Sequence, residues 1–241
     1  MLQSTRGIVL HTIPYSDSRI IARIYTERSG FTSYMLSVSR SKKGKIRGNI
    51  LQPLTQIEIV ADHREKNAMQ TAREISCPEP YLHLQDDIVK TSIALFLAEV
   101  LYKSVKEEEP NPPLFSFLTN AFHILDLHEE GVANFHLVFL VQLTRYLGFY
   151  PQQRSFEGKT FFDLKDGVFR SAIPPHPLYL EEAESRLLEE LMQLSFDNMQ
   201  TLALTGEWRG KMVKHLLQYY QLHLSSMHDV KSHHVLEAVL S

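Results

Sequence analysis

The chain has 241 residues, 44% of them apolar or aromatic, and a formal net charge of −3 at pH 7. That is core enough to exclude a disordered chain, and the length suits two modest domains at ~100–200 residues each. One cysteine, Cys77, excludes an internal disulfide and a thiolate zinc site.

The longest apolar run, Leu137 to Val141, is far too short to span a bilayer. Arg6 precedes any long apolar run, so no signal peptide is expected and a soluble cytoplasmic protein follows. Charge is unevenly placed. Residues 1–80 hold 12 Lys+Arg against 7 Asp+Glu, a net of +5, whereas residues 81–241 carry a net of −8. Such a split suggests two domains with different partners.

In chain order, residues 1–80 read as β. Gly7 to Ile13, Arg19 to Thr26, Phe31 to Ser39, Leu54 to Ala61 and the weaker Met69 to Ile75 are rich in β-branched and aromatic residues. Thr32, Tyr34, Leu36 and Val38 fall on one face of the third. Breakers separate them at Pro14 to Asp17, Ser29-Gly30, residues 40–48 and His63 to Asn67. Five short strands in about 70 residues predict a small closed barrel of the OB type.

The loop between the third and fourth strands carries Arg40, Lys42, Lys43, Lys45 and Arg47 with no acid among them. Flexible cations on a small β-domain suit a phosphate backbone; the competing reading is a solvated surface loop. Tyr15, in a polar turn, is expected to be exposed, while Phe31 is expected in the core.

Cys77-Pro78-Glu79-Pro80 is a linker, since two prolines block both helix and central strand. Residues 81–241 read as a mainly helical domain. Asp86 to Lys106 is the first helix. Asn111-Pro112-Pro113 opens a second, to about His128. Asn134 is expected to cap a third, apolar nearly all round, that ends at Leu147-Gly148 before Pro151. Residues 152–175 interrupt with a hairpin turning at Asp166-Gly167. Helices resume at Glu181 to Leu194, Gly206 to Ser226 and Lys231 to Leu240.

No nucleotide-binding glycine loop, nucleophile elbow or catalytic constellation is present. Twelve histidines invite a metal-hydrolase reading, but His123/His128 and His223/His228 lie five apart, not three or four. No metal, cofactor or catalytic residue is therefore expected. A second basic cluster, Trp208, Arg209, Lys211, Lys214 and His215, suits an acidic peptide, with Met212, Val213, Leu216 and Leu217 as an apolar floor. A decorated, solvated helix face competes with that reading.

The order Gly7-Ile-Val-Leu-His-Thr, Tyr15-Ser-Asp-Ser-Arg19, Tyr25-Thr26 with Gly30, the basic stretch, and Leu51-Gln-Pro-Leu-Thr55 resembles the amino-terminal OB domain of the bacterial DNA repair family RecO. Leu147-Gly-Phe-Tyr-Pro151 and Leu216 to Leu224 are similar to that family's carboxyl-terminal segments. The resemblance implies a non-enzymatic recombination mediator that binds single- and double-stranded DNA and anneals complementary strands. It also implies that the protein associates with the nucleoid, touches the acidic tail of the single-stranded DNA-binding protein, and works with RecR to help load RecA.

Many members carry a four-cysteine zinc site after the Leu-Gly-aromatic motif. Here that segment lacks cysteine, and a hairpin packed by Phe161, Phe162, Phe169 and Phe156 is expected in its place. Arg19, the basic loop and Tyr15 are the expected nucleic-acid contacts. The peptide pocket is expected at Lys211–His215 or along Phe135 to Leu147. The alternative from another class is an RNA-binding OB protein of translation or RNA processing, which the 2′-hydroxyl alone would distinguish.

Overall fold

A computed structural model describes residues 2–37, 48–63, 67–152 and 160–241. Five strands, β1 (Leu2–Ser16), β2 (Arg19–Thr26), β3 (Gly30–Ser37), β4 (Gln56–Asp62) and β5 (Gln70–Ser76), close into a barrel in the order β1-β2-β3-β5-β4. All pairs are antiparallel except β3 with β5, which run parallel at Tyr34–Gln70 and Met35–Thr71. Ile24, Leu36 and Ile59 are fully buried in the barrel core beside Val9, Tyr34 and Ile57. The period-2 alternation of Ile57, Ile59 and Ala61 sends each of them inward.

One strand departs from expectation. β1 does not break at Pro14 but runs on to Ser16, opposite Arg19. Register shifts at Val9/His11 and Pro14/Ser16 accommodate the extra residues. Proline is tolerated there because a bulge needs no ladder donor.

The chain divides into two compact units, Met1–Leu127 and His128–Ser241. The first includes α1 (Ile88–Ser104) and α2 (Pro112–Leu127) together with the barrel. Gln56 shows why: its side-chain amide donates to the Thr119 carbonyl and to the Tyr81 hydroxyl, both at 3.1 Å. Asp87 caps α1 by accepting from the amides of Val89 and Lys90, and Asn111 caps α2 through Leu114.

The second unit is built on α3 (Phe135–Leu147), whose residues from Phe135 to Val141 are all buried. Gly148 ends it in the left-handed region at φ 84°, the conformation that favours glycine. Asn134, expected to cap α3, does not. Its amide donates instead to the carbonyls of Met199 and Leu202, and a 3-10 turn, Val132–Asn134, leads into the helix. A buried side chain went to long-range carbonyls rather than to its own helix end.

The hairpin forms from β6 (Phe161–Asp163) and β7 (Val168–Arg170), and β8 (Tyr179–Leu180) adds a third strand. Phe162 and Phe169 pack at 4.9 Å between ring centroids, and Phe161 meets Tyr179 edge-on. Phe156 lies outside the described residues. The turn is held by the buried Asp163 carboxylate, which accepts from the amides of Lys165 and Asp166 and from Arg170 Nε. Those donors hold its pKa below the usual carboxylate range against the opposing effect of burial. α4 (Glu182–Gln193), α5 (Gly206–His223) and α6 (His233–Leu240) complete the unit. No described helix is long and apolar enough to cross a membrane.

Candidate nucleic-acid interface

The β1–β2 hairpin and the end of β3 lie side by side, because Arg19 is the register partner of both Ser16 on β1 and Ser37 on β3. The basic segment with Arg40, Lys42, Lys43, Lys45 and Arg47 starts just beyond Ser37. Those five residues lie outside the described residues. Arg19 is exposed, and Tyr15 is 61% exposed at the bulge between Pro14 and Ser16. Of the expected contacts, therefore, Arg19 and Tyr15 share the barrel end from which the basic segment leaves. Tyr25 and Tyr34 are buried and packed, so neither offers a stacking face.

The outward row of β2 continues from Arg19 through Ile21 to Arg23. Arg23 lies opposite His11 on β1 and Ser33 on β3, and its Nη1 donates to Ser33 Oγ. Its Nε is buried with no hydrogen-bond partner. The end of α1 reaches this row. Tyr102 stands 4.8 Å from the His11 ring and 6.0 Å from Phe31, and Lys106 Nζ lies 4.3 Å from the Tyr102 centroid and 4.9 Å from that of Phe31. Phe31 is half-buried under this cluster rather than in the barrel core.

Burial, with Arg23 and Lys103 nearby, holds the Lys106 ammonium below its ordinary range; burial and Arg23 do the same for His11. Among the described residues neither Arg23 nor Lys106 is in an ion pair. Sequence reasoning missed this cluster. Arg19 and Arg23 on one β2 face were a readable signal, but the arrival of Lys106 was not.

The second basic group is differently disposed. Arg209 spends Nη1 on the Leu204 carbonyl at 2.6 Å and Nη2 on the Leu240 carbonyl at 3.1 Å. Lys211 is ion-paired with the buried Glu184 and lies 5.2 Å from the Trp208 ring. Lys214 pairs with Glu237 at 2.9 Å. His215 is half-buried, and burial lowers its pKa. Met212, Val213, Leu216 and Leu217 are buried within the unit, so they line no open groove. Along Phe135 to Leu147 the exposed side chains are Arg145 and Tyr146. Among the described residues no three His, Cys, Asp or Glu side chains converge as a metal set.

A closed five-stranded barrel in this order, with Arg19 and Tyr15 exposed at one end, defines a protein of the OB-barrel class. Residues 1–81 match the family profile described as "Recombination protein O N terminal", and residues 85–233 match "Recombination protein O C terminal". The chain is 37% identical over 241 residues to the "DNA repair protein RecO" of Phocaeicola vulgatus, covering 100% of both. The protein of the same name from Bacteroides fragilis is 37% identical over 238 residues, with 98% of each chain covered. That of Flavobacterium psychrophilum is 36% identical over 239 residues, again covering 98% of each. The chain belongs to the recombination protein O family.

Proposed function

We propose that this chain serves DNA repair as a non-enzymatic recombination mediator that binds single- and double-stranded DNA and anneals complementary strands. The observation that carries the reading is full-length identity to relatives named for DNA repair. The barrel supports it chemically. Annealing needs no nucleophile; it needs phosphate charge neutralised so that two strands can approach. Arg19, Tyr15 and the loop cations Arg40, Lys42, Lys43, Lys45 and Arg47 are the proposed contacts, on a DNA-binding domain of residues 1–80.

In the same reading the protein works with RecR to help load RecA on strands coated by the single-stranded DNA-binding protein. The acidic tail of that protein would dock on residues 81–241 at Trp208 to His215. Lys211 and Lys214 would then exchange Glu184 and Glu237 for carboxylates of the tail.

The test is a salt titration of binding to single-stranded DNA, duplex DNA and RNA, alongside an annealing assay. Replacing Lys42, Lys43 and Lys45 by Ala should flatten log K against log salt by roughly 0.7 per lost contact on single strands. An unchanged slope removes the loop from the reading. A clear preference for RNA of equal sequence moves the protein to RNA processing.

A further inference from the structure

We infer that the outer face of β2 and the end of α1 form a second phosphate site, in which Arg23 and Lys106 grip the backbone of a bound single strand. The inference rests on the DNA-binding reading above and specifies a place for the strand.

The geometry carries it. Arg19, Ile21 and Arg23 alternate onto one face of β2, and Arg19 sits where the basic segment leaves Ser37. Four residues of strand put Arg23 ~13 Å further along that face. There Lys106 arrives from another element, its position fixed on two sides. Its ammonium donates to the Tyr102 carbonyl and sits over the rings of Tyr102 and Phe31. The backbone is pinned as well, since the Phe31 amide donates to the Glu107 carbonyl at 2.8 Å.

Cations clustered without a carboxylate partner are costly unless something anionic completes them. Glu107, Glu108 and Glu109 follow in sequence, yet the charges that act on Lys106 are those of Arg23 and Lys103, both repulsive. Arg23 is further constrained, with one nitrogen spent on Ser33 and a buried Nε unpartnered. Beside the cluster a polar cavity of about 270 Å³ opens next to β3, lined by Arg28, Ser29, Phe31, Ser33 and Gln70 among others, with Glu108 on its wall and Arg28 as its cation. It is small beside the ~300–1,000 Å³ of ordinary ligand pockets, which suits one nucleotide unit rather than a larger ligand.

The rings themselves are covered. His11 and Lys106 occupy Tyr102, and Lys106 occupies Phe31. The site therefore takes the backbone and leaves the Watson–Crick edges of the bases free, as annealing requires. A phosphodiester and free phosphate share this chemistry, and the experiment separates them.

The full chain is titrated with fluorescein-labelled oligo-dT by anisotropy at 50–300 mM salt. Lys106→Gln should lower the log K–log salt slope by about 0.7. Lys106→Arg should restore it, and the loss should add to that of the Lys42/Lys43/Lys45→Ala variant. Inorganic phosphate at millimolar concentration should not displace the oligonucleotide beyond its ionic-strength effect; specific displacement would make this a free-anion site and overturn the inference. A wild-type slope in Lys106→Gln overturns it while leaving the DNA-binding reading intact. Equal loss in Lys106→Gln and Lys106→Arg also overturns it, because packing and not charge would then be at stake. Failure of the wild type to bind single strands overturns both readings together.

Discussion

Asp126, near the end of α2, takes the backbone amide of Leu84 at 2.8 Å, across 42 residues of chain. The same carboxylate accepts from His83 at 2.8 Å and Leu82 at 2.9 Å. Lys90 reaches the Asp126 carbonyl at 2.6 Å. One side chain thus ties the segment after the proline linker to the second helix. Without the buried Asp126 carboxylate, three amides lose a charged acceptor. Asp126→Ala should cost roughly 3–5 kcal/mol, read as accelerated hydrogen exchange at Leu82, His83 and Leu84. Unchanged exchange at those amides would show that water replaces the carboxylate.

Of Gly7 and Gly30 in the first unit, Gly30 is the more crowded. Its φ is +56°, and a Cβ there would lie 2.4 Å from the Glu107 carbonyl and 2.5 Å from that of Glu109. Both obstacles are backbone and cannot rotate away. Gly30→Ala should destabilise by roughly 2–4 kcal/mol and loosen the segment that carries Lys106. The check is thermal unfolding by circular dichroism, with a melting point within a degree of wild type counting against it.

His136 is fully buried on α3. Burial, with a smaller push from Arg209, drives its pKa down to about 3. The folded value lies below the unfolded one, so the unfolded chain binds the extra proton. Stability is therefore complete above about pH 6.5 and is lost as pH falls toward 3. Between pH 6.5 and 5 the loss should be about 1.6 kcal/mol, steepening toward about 1.4 kcal/mol per pH unit below the unfolded pKa. Urea unfolding followed at Trp208, the sole tryptophan, reads this unit directly. His136→Leu should flatten the pH dependence over that range; an equally steep fall would assign it elsewhere.

Lys211 is half-exposed, but its partner Glu184 is 8% exposed at the side chain. Lys211 contacts Glu184 Oε1 while the buried Oε2 has no hydrogen-bond partner, and against the opposing effect of burial Lys211 holds the carboxyl below its usual range. Lys211→Ala should cost about 1–3 kcal/mol by orphaning that carboxylate, and adding Glu184→Gln should recover most of it. Lys214→Ala breaks a pair exposed on both sides and should change stability by at most about 1 kcal/mol. Tail binding is therefore tested more cleanly at Lys214. Weakened anisotropy of an acidic peptide with Lys214→Ala supports the proposed pocket, and unchanged affinity moves it toward Arg145 and Tyr146.

Much of the fold was written locally. The alternation of Ile57, Ile59 and Ala61, the Asp166-Gly167 turn and the Gly148 helix end are short-range statements, and φ-restricted glycines and period-2 strands need no distant partner. Local reasoning failed where long-range bonds outbid it. Asn134 has a capping residue's identity, yet its amide serves Met199 and Leu202, 65 and 68 residues away. Pro14 has a breaker's identity, yet a bulge against β2 absorbs it.

By itself the sequence determined a basic β-region, an acidic helical region and a thiol content of one, because composition and periodicity are properties of the chain alone. Only the tertiary structure decided which charges remain available. Lys211 and Lys214, adjacent on one helix and conspicuous in sequence, are matched by Glu184 and Glu237 from other helices. Arg23 and Lys106, on different elements and inconspicuous, meet with no acid between them. Coulomb energy depends on separation in space and on burial, neither of which is written in residue spacing.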